Sequence, residues 1–391
     1  MLKKVFFEKI YLLMTIIMIG GYSTLNMLTT EHDSIYTAED PILLKLFVGL
    51  LFMTSIGYML TNISHCHIGK IGRILLFISL YMTVWRIIDI PLTASLLAYI
   101  YQPMRDILIV LLLSLGITIS TKSKELSDFY STGMIIAFLI TALYYYKNWT
   151  FTNEAGEAHL GTAYYVLFLL PTILCSPKKI IRNLAILLTC IVIISSIKRG
   201  GVIALVLGLV AYLFVKEVLL EHKFTKLLYF LVLIIVLFIT LIIIDNAMGN
   251  MISERMFNLV EDGGSGRNVV WKTTWDMICQ SNTEQLLFGH GHNAVLLQSP
   301  LHLSAHNDFL EVLYDYGIVC FILYILLHIR LIQQIFTSLR IKDERAPIMA
   351  FTYVIFIILS MISHVIIYPW AALIAVSWGL MSTPKIERNI V

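Results

Sequence analysis

Lys198-Arg199-Gly200-Gly201 sets two cations and two glycines between two apolar runs. The planar fork of Arg suits phosphate oxygens, and glycine lets a ligand approach the backbone. This hairpin reads either as a diphosphate clamp or as a snorkelling pair that ends a helix. Gly263-Gly264-Ser265-Gly266-Arg267 is a second such element, a glycine-rich turn before a helical pattern that offers backbone N–H groups and a charge to an anion. Further on come Ser304-Ala305-His306-Asn307-Asp308 and Glu311 and Asp315. His306 has a side chain suited to general-base work, with an unperturbed pKa near 6.5. Asp308, Glu311 and Asp315 share one helical face. They are either alternative bases or helix-start acids favoured by the dipole.

Two weaker groups complete the set. His290, His292, His302 and His306 lie close in sequence, and either hold a metal or, as in Phe288-Gly289-His290-Gly291, belong to turns. Arg86 and Asp89 stand one turn apart at the end of an apolar run, as an ion pair or as support beneath a site.

The elements that must position these residues are membrane spans. Of 391 residues, 58% are hydrophobic and 14% charged, and the mean hydropathy is +0.83. This composition excludes a soluble enzyme, a disordered regulator and a nucleic-acid module. The five cysteines are scattered, without metal spacing or a disulfide framework. The N-terminal apolar run follows Lys3, Lys4 and Lys9 without a small-residue cleavage site, and reads as an uncleaved span.

A helical span needs roughly 17–25 mostly apolar residues. By that measure the chain holds about twelve, near 10–28, 42–62, 73–90, 104–120, 128–146, 160–176, 180–197, 201–216, 225–245, 308–329, 347–367 and 369–384. The stretch 91–103 reads as an outer interfacial helix. Most of the 28 Lys and Arg fall on inner segments when both termini are placed in the cytoplasm. Three regions follow: spans one to nine over 1–245, a large outer loop over 246–305, and spans ten to twelve over 306–391. In the loop, Trp271, Trp275 and Ile278 share one helical face. They predict a short amphipathic helix lying on the membrane, or a small cap packed on itself.

Taken in order, Lys198-Arg199-Gly200-Gly201, Ser265-Gly266-Arg267 with Trp271, Phe288-Gly289-His290-Gly291, and Ala305-His306-Asn307 with Leu310-Glu311 and Gly317-Ile318 resemble the bacterial O-antigen polymerase and O-antigen ligase superfamily. The resemblance covers about residues 180–330, and the first half matches in topology alone. It implies an all-α membrane fold similar to glycosyltransferases of the GT-C type, and an inverting, metal-independent transfer without cofactor. The implied donor is a glycan on undecaprenyl diphosphate, and the acceptor is a sugar hydroxyl at the outer leaflet of the plasma membrane. Membrane lipids and a chain-length regulator are the implied partners, and nucleic acid is not among them. By this resemblance Arg199 and Arg267, with Lys198 and Gly200, hold the diphosphate. His306 activates the acceptor, with Glu311 and Asp308 next in line and Arg86, Asp89 and His290 in support.

Members of the superfamily either join repeat units of O-antigen or capsule or move finished glycan to lipid A core. The ligase pattern of His, Asn, Gly and then Gly, Thr or Tyr is met at His306, Asn307 and Gly317 but broken at Cys320. With a compact outer loop, this favours a polymerase, and ligase is the alternative. A flippase for the same lipid-linked sugars is the alternative from another class. It would concentrate polar residues at the bilayer midplane, whereas here they gather at the outer boundary.

Overall fold

Long apolar runs without a period of two can satisfy their backbone in a bilayer only as helices. In the computed structural model, described over residues 2–29, 42–89, 96–155, 163–196, 198–232, 235, 266–366 and 370–382, every regular element is helical. The first eight helices are α1 (Leu2–Thr29), α2 (Ile42–Thr61), α3 (Gly69–Asp89), α4 (Leu96–Lys122), α5 (Lys124–Ala155), α6 (Ala163–Leu174), α7 (Lys179–Ser195) and α8 (Arg199–Leu213). A wide turn over Phe214–Leu220 prolongs α8, and residues 225–232 are helical. Then come α9 (Arg267–Gln280), α10 (Thr283–Phe288), α11 (Ala294–Gln298), α12 (Asp308–Arg340), α13 (Ala346–Ile362) and α14 (Trp370–Met381).

Among the described residues, seven helices are long and apolar enough to cross a membrane, and three shorter ones are also apolar. The chain is therefore a multi-pass membrane protein. The expected span 225–245 falls mostly outside the described residues, as does loop segment 246–265. The stretch 91–103 departs from expectation. From Leu96 onward it is the beginning of α4, which continues through Pro103. A proline read as a boundary is tolerated here because neighbouring helices can satisfy the backbone group it frees.

Two layers of contact hold the bundle. Helix α4 crosses α14 and α3, α8 lies against α13, α1 against α5 and α2, and α12 against α3. At the α4–α14 crossing Gly116 faces the Val376 carbonyl and Gly379 faces the Leu113 carbonyl, each too close for a Cβ. Small residues at such crossings let backbones approach where apolar burial alone gives no advantage over lipid.

Polar side chains sort to two ends. One end carries Glu8 paired with Lys122 at 2.6 Å, Lys9 with Glu125 at 2.6 Å, Asp343 with Arg345 at 2.7 Å, and Asn62 against Lys122. The opposite end carries Lys198, Arg267, His306 and the short helices α9–α11.

Candidate functional site

Helix α12 carries the site, and a kink shapes it. Asn307 caps its start, its Oδ1 accepting from the N–H groups of Phe309 at 3.0 Å and Leu310 at 3.3 Å. Gly317 has a φ of +72° and breaks the helix within its third turn. The kink frees the carbonyls of Tyr314 and Asp315. The N–H of His290 reaches both at 3.1 Å, and that of Gly291 reaches Asp315 O at 3.0 Å.

Gly289, with φ +96°, passes so close to the Asp315 carbonyl that no Cβ fits. Gly317 is equally close to the Leu287 carbonyl. Phe288-Gly289-His290-Gly291 is thus a strap that satisfies the broken helix, and Gly289 is set by that crossing. The Phe288 carbonyl accepts from Tyr81 OH at 2.8 Å and Trp85 Nε1 at 3.0 Å, which ties the strap to α3.

The other histidines follow the strap into structure. His290 stacks on Tyr314 at 3.9 Å between centroids, with Nδ1 3.0 Å from Tyr314 O and Nε2 3.2 Å from Ser281 Oγ. His292 pairs with Tyr316 OH at 2.7 Å. Burial, then Arg86 and Arg105, hold its imidazole well below the usual range. These residues engage separate partners rather than converging, and His302 is exposed.

Arg86 and Asp89 do not pair with each other. Arg86 Nε lies 3.0 Å from Asp106 Oδ1 on α4, and Thr83 donates to Asp106 at 3.1 Å. Asp89 accepts the His292 N–H at 2.6 Å. Both support the cap from below, one by joining α3 to α4 and the other by holding the strap. Asp106 escaped the sequence reading because its partner lies on another helix.

Helix α9 packs on α12. Val270, Thr274 and Ile278 are buried, whereas Trp275 is exposed. Trp271 Nε1 donates to Ala305 O at 2.8 Å, so the indole fastens Arg267's helix to the backbone beside His306. On its inner face this part of the outer loop is a cap packed on the protein.

Lys198, Arg267 and His306 come together. Lys198 stands 5.5 Å from the centre of the Tyr164 ring. Arg267 acts electrostatically on Tyr164 and, with Lys198, on His306. The His306 imidazole is pushed down to about 3 by burial, then by His364, Arg267 and Lys198. It is neutral at neutral pH, although the residue as a whole is exposed. Arg199 opens α8 beside Lys198 and is half-buried. A Cβ at Gly200 would lie 2.6 Å from Ile362 and 2.9 Å from Tyr164 OH. That glycine brings the start of α8 against the end of α13 through packing alone.

The two carboxylates of the predicted base set are engaged. Asp308 is fully buried, and its oxygens accept the N–H groups of Val365 at 3.0 Å and Ile366 at 3.1 Å. It holds the turn after α13. Glu311 accepts the His306 N–H at 3.2 Å and lies 2.9 Å from His364 Nδ1. His364 Nε2 in turn lies 3.0 Å from Ser304 Oγ, and the rings of His364 and His306 are 4.7 Å apart.

Sequence reasoning missed His364. The one signal was a polar pair, Ser363-His364, closing an apolar run at the outer boundary.

Comparison with curated proteins gives no match. Residues 184–325 match the family model described as O-antigen ligase. That stretch holds Lys198, Arg199, Arg267, His306, Asp308 and Glu311, and ends before His364. Over residues 184–325 the chain is similar to that family.

Proposed function

We propose that the protein is a polymerase that joins undecaprenyl-diphosphate-linked repeat units of O-antigen or capsule at the outer leaflet of the bacterial plasma membrane. The observation that supports this reading is that Lys198 and Arg267 lie near enough to His306 to act on its charge, with Trp271 fastening the helix of Arg267 to the backbone beside His306. A lipid diphosphate leaving group accumulates negative charge as its bond to the anomeric carbon breaks, and fixed cations stabilise that charge. A neutral histidine beside them faces the incoming hydroxyl and orients it, and its proton leaves on the histidine side of the site. Lys198, Arg267 and the adjacent Arg199 take the diphosphate. Grooves between spans take the polyprenyl tail. The site faces outward and both termini face the cytoplasm, in keeping with the distribution of Lys and Arg. The fold is similar to that of GT-C transferases, and the transfer inverts the anomeric centre without a metal.

Buried Cys320, where the ligase pattern has Gly, Thr or Tyr, favours polymerase. The cap of α9–α11 seated on α12 also favours it, since lipid A core is a bulky acceptor. The test is a gel profile of surface and lipid-linked glycan from a deletion strain. A polymerase leaves single repeats at the surface and no long chains. Long chains retained on undecaprenyl diphosphate and absent from lipid A core indicate a ligase. In complemented strains Arg267→Ala and His306→Ala are expected to abolish long glycan with normal protein in the membrane. Wild-type glycan lengths in both would overturn the site.

A further inference from the structure

His364 lies outside the matched region, yet it occupies the position of a base held by two partners. Glu311 Oε2 stands 2.9 Å from its Nδ1, and Ser304 Oγ stands 3.0 Å from its Nε2. With the proton on Nδ1, the nitrogen nearer the carboxylate, Nε2 is the acceptor and the Ser304 hydroxyl donates into the ring. The imidazole is buried, at 5% exposure. Ser304 is only half-buried and lies two residues before the exposed His306. Hydroxyl, imidazole and carboxylate in this order make up the arrangement by which hydrolases and transferases activate an oxygen, whatever their fold.

We propose that Ser304, His364 and Glu311 form a proton relay that accepts the acceptor sugar's hydroxyl proton during transfer. This deepens the transferase reading and rests on it. The acceptor oxygen bonds to the anomeric carbon and passes its proton to Ser304 Oγ. Ser304 passes its own proton to His364 Nε2, and Glu311 balances the imidazolium. The anomeric carbon–diphosphate bond breaks, and its electron pair leaves on the diphosphate between Lys198 and Arg267. Ser304 therefore touches the reacting oxygen, while His364 acts through Ser304 and Glu311 through His364. His306 orients the acceptor, and the cations beside it oppose its holding a proton.

The charged and titratable groups around His364 are Glu311 and Asp308 from α12 and His306 from the preceding loop, with Lys198 and Arg267 beyond His306. Glu311 is the carboxylate in contact with the ring. A carboxylate in contact favours the charged ring more than a neutral amide would. The relay works only when His364 is neutral, so transfer falls when the ring becomes protonated. Replacing Glu311 by Gln moves the fall to lower pH.

The experiment uses the full-length protein in nanodiscs, with an undecaprenyl-diphosphate repeat unit as both donor and acceptor. Transfer is followed from pH 4 to 9 as separate kcat and KM. Ser304→Ala and His364→Gln are expected to lower kcat on the order of 10²–10⁴-fold with little change in KM. Ser304→Thr, which restores a hydroxyl, is expected to recover most of it, and Glu311→Gln to shift the acid limb downward. If Ser304→Ala retains wild-type kcat, the relay is overturned. It is equally overturned if His364→Gln lowers only the yield of folded protein while the acid limb of Glu311→Gln stays in place. If the wild-type protein transfers nothing from a lipid diphosphate, the function itself fails, a result distinct from either of these.

Discussion

A carboxylate's role depends on what its oxygens accept. Asp308 and Glu311 sit on one face of α12 and look equivalent in the sequence. Asp308 is filled by two backbone N–H groups from the turn after α13, whereas Glu311 shares its oxygens between His306 N and a histidine ring. Asp308→Ala therefore leaves two buried N–H groups without an acceptor. Each costs about 1–3 kcal/mol, so the expected loss is in folded protein rather than in turnover per folded molecule. Thermal unfolding in detergent together with specific activity separates the two. A stable Asp308→Ala protein with abolished turnover would make Asp308 part of the chemistry.

Lys198 and Arg267 stand out in the sequence because cations at an outer boundary defy the usual distribution in membrane proteins, and His306 because it stands just before a stripe of carboxylates. His364 was not, since a lone histidine after an apolar run has no partner in the sequence. Its partners are Ser304 and Glu311, brought to it only when α13 folds back on α12. For the same reason the sequence offers Arg86 only its neighbour Asp89 as a partner, whereas the fold sets it against Asp106 across the helix boundary.

At the scale of elements, apolar runs disclose helices well because a bilayer leaves few other solutions. They do not disclose breaks within helices or rotations of them. The Gly317 kink is invisible to hydropathy, yet it explains why Gly289, His290 and Gly317 occur together. One helix breaks, and one strap caps the carbonyls it frees. Of the expected face of α9, Ile278 is buried and Trp275 is exposed. Trp271 is held by its N–H, and the buried stripe runs through Val270, Thr274 and Ile278.

The strap and the indole make separable predictions. Gly289→Ala forces a methyl into the Asp315 carbonyl in a left-handed conformation, and is expected to displace the cap and abolish activity. Trp271→Phe loses one hydrogen bond, worth about 1 kcal/mol, and is expected to leave the fold intact while loosening the His306 loop. Limited proteolysis of the cap reads both. A cap as resistant in Gly289→Ala as in wild type would remove the strap from the account.

For the whole molecule, the sorting of polar groups into two ends sets the orientation on which the function depends. Ion pairs Glu8–Lys122 and Lys9–Glu125 close one end, and Lys198, Arg267 and the histidines line the other. If the N-terminus is cytoplasmic, the substrate site meets the outer leaflet. There a polymer can grow without its polar chain crossing the membrane. The chain carries native reporters for this. Cys279 is exposed on α9 at the site end, and half-buried Cys66 follows α2 at the opposite end. A membrane-impermeant maleimide applied to spheroplasts is expected to label Cys279 at once and Cys66 only after permeabilisation, with Cys279→Ser and Cys66→Ser identifying each band. The reverse order would put the cations and histidines on the cytoplasmic side. A diphosphate clamp there would meet the donor before it is flipped, and outer-leaflet polymerisation would fail as a function while the site's chemistry stood.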